Sequence, residues 1–470
     1  MASVVETYMH RIQSACTPMD AGTLADYIPQ LAAVDPDRFG VSVVVHDGHV
    51  YSVGDSTIEF TIQSISKALT YALALRERGF DDVDAQIGVE PSGEAFNEIS
   101  VDHRTRRPRN PMINAGAITA TALLLQRPHD DEGTPEDFGT AVDEAFALIL
   151  EFYSGCAGRH LTMDDEVYRS EMATGSRNRA IAYMLESFGV FPSDPEAAVD
   201  LYVRQCSVTV TSDDLAAIGS TLANGGVNPR TGRRMLDTAV TRRVLSVMTT
   251  CGMYDGAGDW VTTVGLPAKS GVGGGILAVL PGQLGIGVYS PRLDEHGNSV
   301  RGVEACRHLS DDLGLHMFNV ARESRVTIRS TYDGHELDLG AGRSEVERAY
   351  LRAHRHRVRV LELQGDLTFS GAESVVRRVE SLRPDADVIL IDLTRVGVID
   401  DVSRRFIVGL RATLLADDTE WVIVDPDGVV DAGARQTARS AAADAPVSSM
   451  AEAIERAEDI LLKRAADRTA

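Results

Sequence analysis

Two stretches of this chain read as β-hairpins, and a long helical region separates them. FGVSVVVHDGHVYSVGD, Phe39 to Asp55, sets two β-branched runs around Asp47-Gly48, and ILAVLPGQLGIGVYS, Ile276 to Ser290, turns at Pro281-Gly282. Asp-Gly between such runs is a strong hairpin signal, because glycine accepts the left-handed backbone that a tight turn needs. Between the hairpins the apolar spacing is helical: Gln63 to Arg78, about Glu136 to Leu185, and Ser212 to Met248. Two more amphipathic patterns precede them, Val4 to Ser14 and Ala21 to Ala33, and a helix after GNSVRG (Gly297 to Gly302) closes the unit near Val320. A sheet made of early and late hairpins with helices inserted between is an α/β sandwich of mainly antiparallel strands.

The pattern then changes. From Ala321 to His356 it is weak and charged, as in SEVERAYLRAHRHR, and reads as a linker. A fresh alternation follows: strand at VRVLELQGDLTF (Val358 to Phe369), helix from Gly371 to Leu382, strand at VILIDL (Val388 to Leu393), helix from Val402 to Leu415, strand at WVIVD (Trp421 to Asp425), and a last helix from Ser449 to Lys463. Strands alternating with helices predict a small α/β domain with a partly parallel sheet. The expected division is 1–320, a linker over 321–354, and 355–470, which suits a chain of 470 residues.

Charge and cysteine usage exclude several functions. A net charge of −23 argues against nucleic acid and against an anionic membrane surface, both of which need basic residues. The five cysteines are widely spaced with no CxxC, so neither a disulfide framework nor a zinc site is expected. Glu6, His10 and Arg11 interrupt what a signal peptide would need as an apolar core, and no stretch approaches the length of a membrane span. The expected address is the cytoplasm.

Chemistry is suggested by scarcity. The chain has three lysines, Lys67, Lys269 and Lys463, against a large excess of arginine. A buried lysine can shed its proton and act as a base, which arginine cannot. Lys67 stands in QSISK, where Ser64 is three residues earlier and one turn away, so an amine can reach a hydroxyl that needs a base to become a nucleophile. Ser66 is adjacent to Lys67 and points away from it. Lys269 opens AKSGVGGGILAVL (Ala268 to Leu280), whose glycines either let backbone approach a ligand or mark a bulged, softened strand. Ser-x-x-Lys early and Lys-Ser-Gly late is the order found in serine β-lactamases and penicillin-binding proteins.

Between these motifs lie RPRNPMINAGAI (Arg107 to Ile118), SEMATGSRNRAIAYML (Ser170 to Leu185), LYVRQCSVTVT (Leu201 to Thr211) and MTTCGMYDGAGDW (Met248 to Trp260). With QSISK and KSGVGGGI, this series resembles the serine-dependent glutaminases over about residues 20 to 320. The resemblance implies a β-lactamase/DD-peptidase-like domain, with a mainly antiparallel sheet plus a helical subdomain. It also implies hydrolysis of L-glutamine to L-glutamate and ammonia through an acyl-serine, with no metal or organic cofactor, in a homo-oligomer (dimer or tetramer). By motif, Ser64 matches the nucleophile and Lys67 its activating partner. Tyr254 matches a proton-transfer tyrosine, so Lys67 and Tyr254 both stand as the principal base. The backbone N–H groups of Ser64 and Val272 would form the oxyanion hole, and Tyr27, Asn114, Glu171, Asn178, Tyr202 and Tyr254 would bind substrate. Physically, Glu171 and Asn178 are seven apart and would share one helix face, with Glu171 meeting the substrate ammonium. Asn114, before Ala-Gly-Ala, would alternatively cap a helix.

LQGDLTFSGAESVVRRV and VILIDLTRVGVIDDVSRRFIVGL resemble a STAS domain over about residues 355 to 465. Where many such domains carry a phosphorylatable hydroxyl, this chain has Asp400-Asp401, which reads either as a mimic of the phosphorylated state or as a helix cap, with Ser403 too far along to replace it. The domain is then expected to assist assembly or to bind an unidentified regulator. Two other readings of the whole chain are a β-lactamase or peptidase, and a scaffold whose first unit has lost activity.

Overall fold

The Asp47-Gly48 turn closes a hairpin between β1 (Gly40–Val45) and β2 (Val50–Gly54), with Gly48 at φ 87°. Two short strands, β3 (Phe60–Thr61) and β4 (Thr209–Val210), pair with each other. Late in the same unit come β5 (Ala268–Gly271), β6 (Gly275–Leu280) and β7 (Leu284–Tyr289). The early and late hairpins join through β1 and β7 into one antiparallel sheet of order β2-β1-β7-β6-β5. The structure, a computed structural model, describes residues 4–93, 101–125, 138–190, 193–318, 327–337, 342–367, 369–399, 403–404, 407–410, 414, 419–430 and 446–469. It divides into two units, Met1–Asn319 and Val320–Ala470.

Strand alternation gives the first sheet two apolar faces. Leu277, Val279 and Tyr289 pack with the Ser66–Arg78, Ser212–Ala223 and Thr238–Cys251 helices. Ala268, Ile276, Ala278, Ile286 and Val288 pack with the Val4–Cys16, Ala257–Thr263 and Val300–Leu313 helices. The Ser66–Arg78 helix is buried from Ser66 through Leu75, which explains why its sequence is apolar or small almost all round.

One expected helix is largely absent. Across Ala21 to Ala33 only Pro29–Ala32 is helical, because the Thr23 backbone exchanges hydrogen bonds with Leu293 at 3.0 and 2.8 Å and Pro29 sets a late helix start. The long helical stretch also breaks, into Phe138–Ala157, Asp165–Thr174 and Ser176–Ser187; its expected start at Glu136 lies outside the described residues.

In the second unit, β8 (Ile328–Asp333), β9 (Val358–Leu367), β10 (Val388–Ile399) and β11 (Glu420–Val424) form a sheet of order β11-β10-β9-β8. The first three in that order run parallel, and β8 is antiparallel to β9. Val360, Leu390 and Val422 face the Met450–Thr469 helix, while Leu361, Ile391 and Ile423 face the Phe369–Leu382 helix. The expected linker is corrected here. Within 321–354, residues Ile328–Asp333 are strand β8 and Glu345–His354 are a helix whose Leu351 is buried against Val358 and Val360. Their charged side chains belong to an edge strand and to the outer face of an amphipathic helix. Asp400 and Asp401, and half of the expected Val402 to Leu415 helix, lie outside the described residues. Among the described residues no helix is long and apolar enough to cross a membrane.

Candidate active site

Ser64 sits in a 3₁₀ turn, Gln63–Ile65, that feeds directly into the Ser66–Arg78 helix. The expected continuous helix therefore starts tightly, and with three residues per turn Ser64 and Lys67 come almost into line. Gln63 enters at φ 49°, an unfavourable backbone that the surrounding contacts must hold. Its side chain donates to Thr61 Oγ1 and to Glu171 Oε1, both at 3.3 Å. Ser66 turns away, its hydroxyl donating to the Gln63 carbonyl at 2.6 Å.

Lys67 is fully buried. Its Nζ donates to Asn114 Oδ1 at 2.6 Å, and Asn114 Nδ2 in turn donates to Asn178 Oδ1 at 2.9 Å. Asn114 is thus the first residue of the Asn114–Leu124 helix and not its cap; its amide is spent on side chains of the site. Tyr202, also buried, donates from its hydroxyl to the same Asn114 oxygen at 3.4 Å. Burial lowers the Lys67 amine to about 8, into the range where a base is useful near neutrality.

Tyr254 approaches from the other side, in the turn Tyr254–Gly256 at φ 57°. Its hydroxyl bonds Ser64 and donates to the Ser270 carbonyl at 3.1 Å. Burial pushes it up to about 12, so the phenol keeps its proton where Lys67 can lose one. The Ala268–Gly271 strand pairs regularly with β6, without the bulge that is one of the two readings of its glycines. Its glycines serve close approach instead: a Cβ on Gly271 would lie 2.9 Å from the Ile62 carbonyl oxygen, and one on Gly273 2.8 Å from that of Thr61. Bare backbone here brings the Val272 turn against the segment that carries Ser64.

Tyr27, Gln63, Ser64, Asn114, Glu171, Asn178, Tyr202 and Val272 line one cavity of about 290 Å³. At its mouth the Tyr27 hydroxyl donates to Glu171 Oε1 at 2.8 Å, and burial raises the Glu171 carboxyl. Ile28, Leu31 and Val167 form the apolar support beneath Ala25 and Val272. Glu171 and Asn178 lie on two successive helices and not one, since Gly175 breaks the run and Arg179 donates to the Met172 carbonyl at 2.9 Å. Both still reach the cavity.

Other cavity-lining residues, Gln63, Arg177 and Cys206 among them, were not singled out by the sequence. Gln63 and Arg177 line the cavity beside Ser64 and Asn178, and only their adjacency in sequence hinted at it. Cys206 lines it one helical turn from Tyr202, with its thiol pushed up to about 11 by burial. Lys269 lies under Tyr254, its Nζ 4.0 Å from the ring centre; scarcity marked it, but not its place.

A carboxylate, amide groups, tyrosine hydroxyls and a serine beside a buried amine suit a small zwitterion with an amide to cleave. Residues 22–318 match the family model described as Glutaminase, and residues 351–440 match the STAS domain. Glutaminase 2 of Bradyrhizobium diazoefficiens is 44% identical over 94% of this chain and 69% of its own. The glutaminase of Corynebacterium glutamicum is 42% identical over 91% of this chain and 95% of its own. The crystal structure of Mglu superposes with a TM-score of 0.79 at 43% identity, covering 91% of this chain and all of that one.

Proposed function

Because the chain belongs to the glutaminase family, with a β-lactamase-like first unit and a STAS domain after it, it is a glutaminase, and we propose that it hydrolyses L-glutamine through an acyl-enzyme on Ser64. What carries this reading is convergence: Ser64, Asn114, Glu171, Asn178 and Tyr202 line one amino-acid-sized cavity, and Lys67 is buried one turn from Ser64.

In the proposed course, Glu171 and the Tyr27 hydroxyl receive the substrate ammonium, and Asn114, Asn178 and Tyr202 orient the rest. Neutral Lys67 takes the Ser64 proton as Oγ attacks the amide carbon. The carbonyl oxygen becomes an oxyanion facing the backbone N–H groups of Ser64 and Val272. Its collapse breaks the C–N bond, and nitrogen leaves as ammonia after taking the proton held by the Lys67 ammonium, passed directly or relayed through the Tyr254 hydroxyl, so that Lys67 is neutral again. Water then attacks the acyl carbon, gives a proton to the same base, and releases glutamate as Oγ is reprotonated. Lys67 is the base in this scheme, because its amine is lowered to about 8 while Tyr254, near 12, remains a donor.

Ammonia release from L-glutamine by the purified protein, beside Ser64→Ala, tests the reading. A diazo-ketone analogue of glutamine should add to the wild type and not to Ser64→Ala by intact mass. Turnover retained in the variant, or absent from a folded wild type, would overturn it.

The second unit acts in this reading as an assembly or regulatory module, supported by its STAS match and by the absence of any need for it in the steps above. Removing 320–470 without change in oligomeric state, kinetics or partner capture would contradict that. Five cysteines that are all buried and free support a reducing, cytoplasmic location.

A further inference from the structure

Lys269 is a buried cation-forming group to which the steps above give no task. Alternation along β5 decides where it points: Lys269 pairs with Leu277 of β6, so it faces the helical layer that covers Leu277 and Val279, while Ala268 and Ser270 face the opposite layer. There it is fully buried. Its Nζ donates to the Ser270 carbonyl at 2.7 Å and lies 4.0 Å from the centre of the Tyr254 ring. The same Ser270 carbonyl accepts the Tyr254 hydroxyl at 3.1 Å, and that hydroxyl bonds Ser64.

We propose that Lys269 is a positioning residue for the hydrolysis: by sharing the Ser270 carbonyl with Tyr254 and lying against its ring, the amine fixes where the tyrosine hydroxyl directs its proton. This rests on the reading of Ser64 and Tyr254 given above. A carbonyl oxygen offers two lone pairs, and the two donors occupy both. With the amine in place, the hydroxyl donates to Ser270 and presents its own oxygen towards Ser64. Without it, the carbonyl has a vacant acceptor site in a dry interior and the ring loses its packed neighbour. Tyr254 also sits at a φ that only surrounding contacts can enforce.

The groups facing the amine are Lys67 from the Ser66–Arg78 helix, Cys206 from Pro195–Cys206, Cys251 from Thr238–Cys251, and Tyr254. Burial first, and then the nearby Lys67, push Lys269 well below an ordinary amine. The amine keeps an N–H donor for the Ser270 carbonyl, and its approach to the ring is a contact with the π face.

The test is a double-mutant cycle on the full chain: wild type, Lys269→Met, Tyr254→Phe and the double variant, with kcat and KM for L-glutamine read separately. Lys269→Met should lower kcat about tenfold or more and leave KM within about threefold, and in the Tyr254→Phe background its further effect should shrink to about twofold or less. Equal fold-losses in both backgrounds, or a wild-type kcat in Lys269→Met, would overturn the proposal. If the methionine variant does not fold, Lys269→Leu, which likewise removes the donor, is read in the same cycle with the same criteria. Ser64→Ala separates the two levels: an active Ser64→Ala sinks the underlying reading, whereas an inactive one with uncoupled Lys269 and Tyr254 sinks only this inference.

Discussion

Two buried carboxylates of the second unit and the two buried lysines of the first are held in opposite ways. In the second, Asp387 receives Arg357 through two bonds of 2.8 and 2.9 Å and Arg464 at 3.1 Å, and Glu458 receives Arg343 at 3.0 Å. Both carboxylates meet guanidinium groups, as a scaffold requires, and these pairs tie the last helix to the sheet and to the segment before the Glu345–His354 helix. In the first unit, Lys67 and Lys269 are fully buried and donate to neutral amide oxygens, Asn114 Oδ1 and the Ser270 carbonyl. Neutral acceptors do not hold the proton on, so burial pushes both amines down. Paired charge marks architecture, and amines set against amides mark chemistry.

The sharpest way to break this contrast is Lys67→Arg. Arginine keeps charge and length but cannot act as a base, so turnover should fall about a thousandfold or more while circular dichroism stays native. Activity within tenfold of wild type would place Lys67 among the merely structural groups. Glu171→Gln comes next: losing the anion that faces the substrate ammonium should raise KM about tenfold or more, with a smaller change in kcat. An unchanged KM would remove Glu171 from the substrate's contacts. Smallest in its effect on catalysis is Asp387→Asn. It should cost the second unit about 1–3 kcal/mol in thermal or denaturant unfolding, because its arginine partners are only partly buried, yet leave kcat/KM within about twofold. A large loss of activity there would show that the two units share one energetic network.

Much of this contrast was legible before any coordinates. Asp47-Gly48 and Pro281-Gly282 place their hairpins by local turn chemistry, and the scarcity of lysine singled out Lys67 and Lys269. What could not be read depends on partners distant in sequence. Thr23 pairs with Leu293, so the amphipathic pattern of Ala21 to Ala33 gives way to irregular chain. Asn114 reads as a substrate contact or alternatively as a cap, whereas its amide bonds with Lys67 and Asn178 are out of sight. Gly271 and Gly273 read as close approach to a ligand or as softening, but what approaches them is the backbone of Ile62 and Thr61. The segment 321–354 looked like a linker because β8 needs β9 to become a strand. Local chemistry is written in neighbours along the chain, whereas the environment of a side chain is set by the fold.

The central claim, that a buried and easily deprotonated Lys67 activates Ser64, is tested most directly by the pH dependence of kcat/KM for L-glutamine. The active form of Lys67 is the neutral amine, whose share grows as pH rises through about 8. The account predicts kcat/KM climbing about tenfold per unit below that point and levelling above it, as long as the fold persists and Tyr254 keeps its proton towards 12. A profile flat from pH 6 to 9, or one that falls across that range, would contradict it.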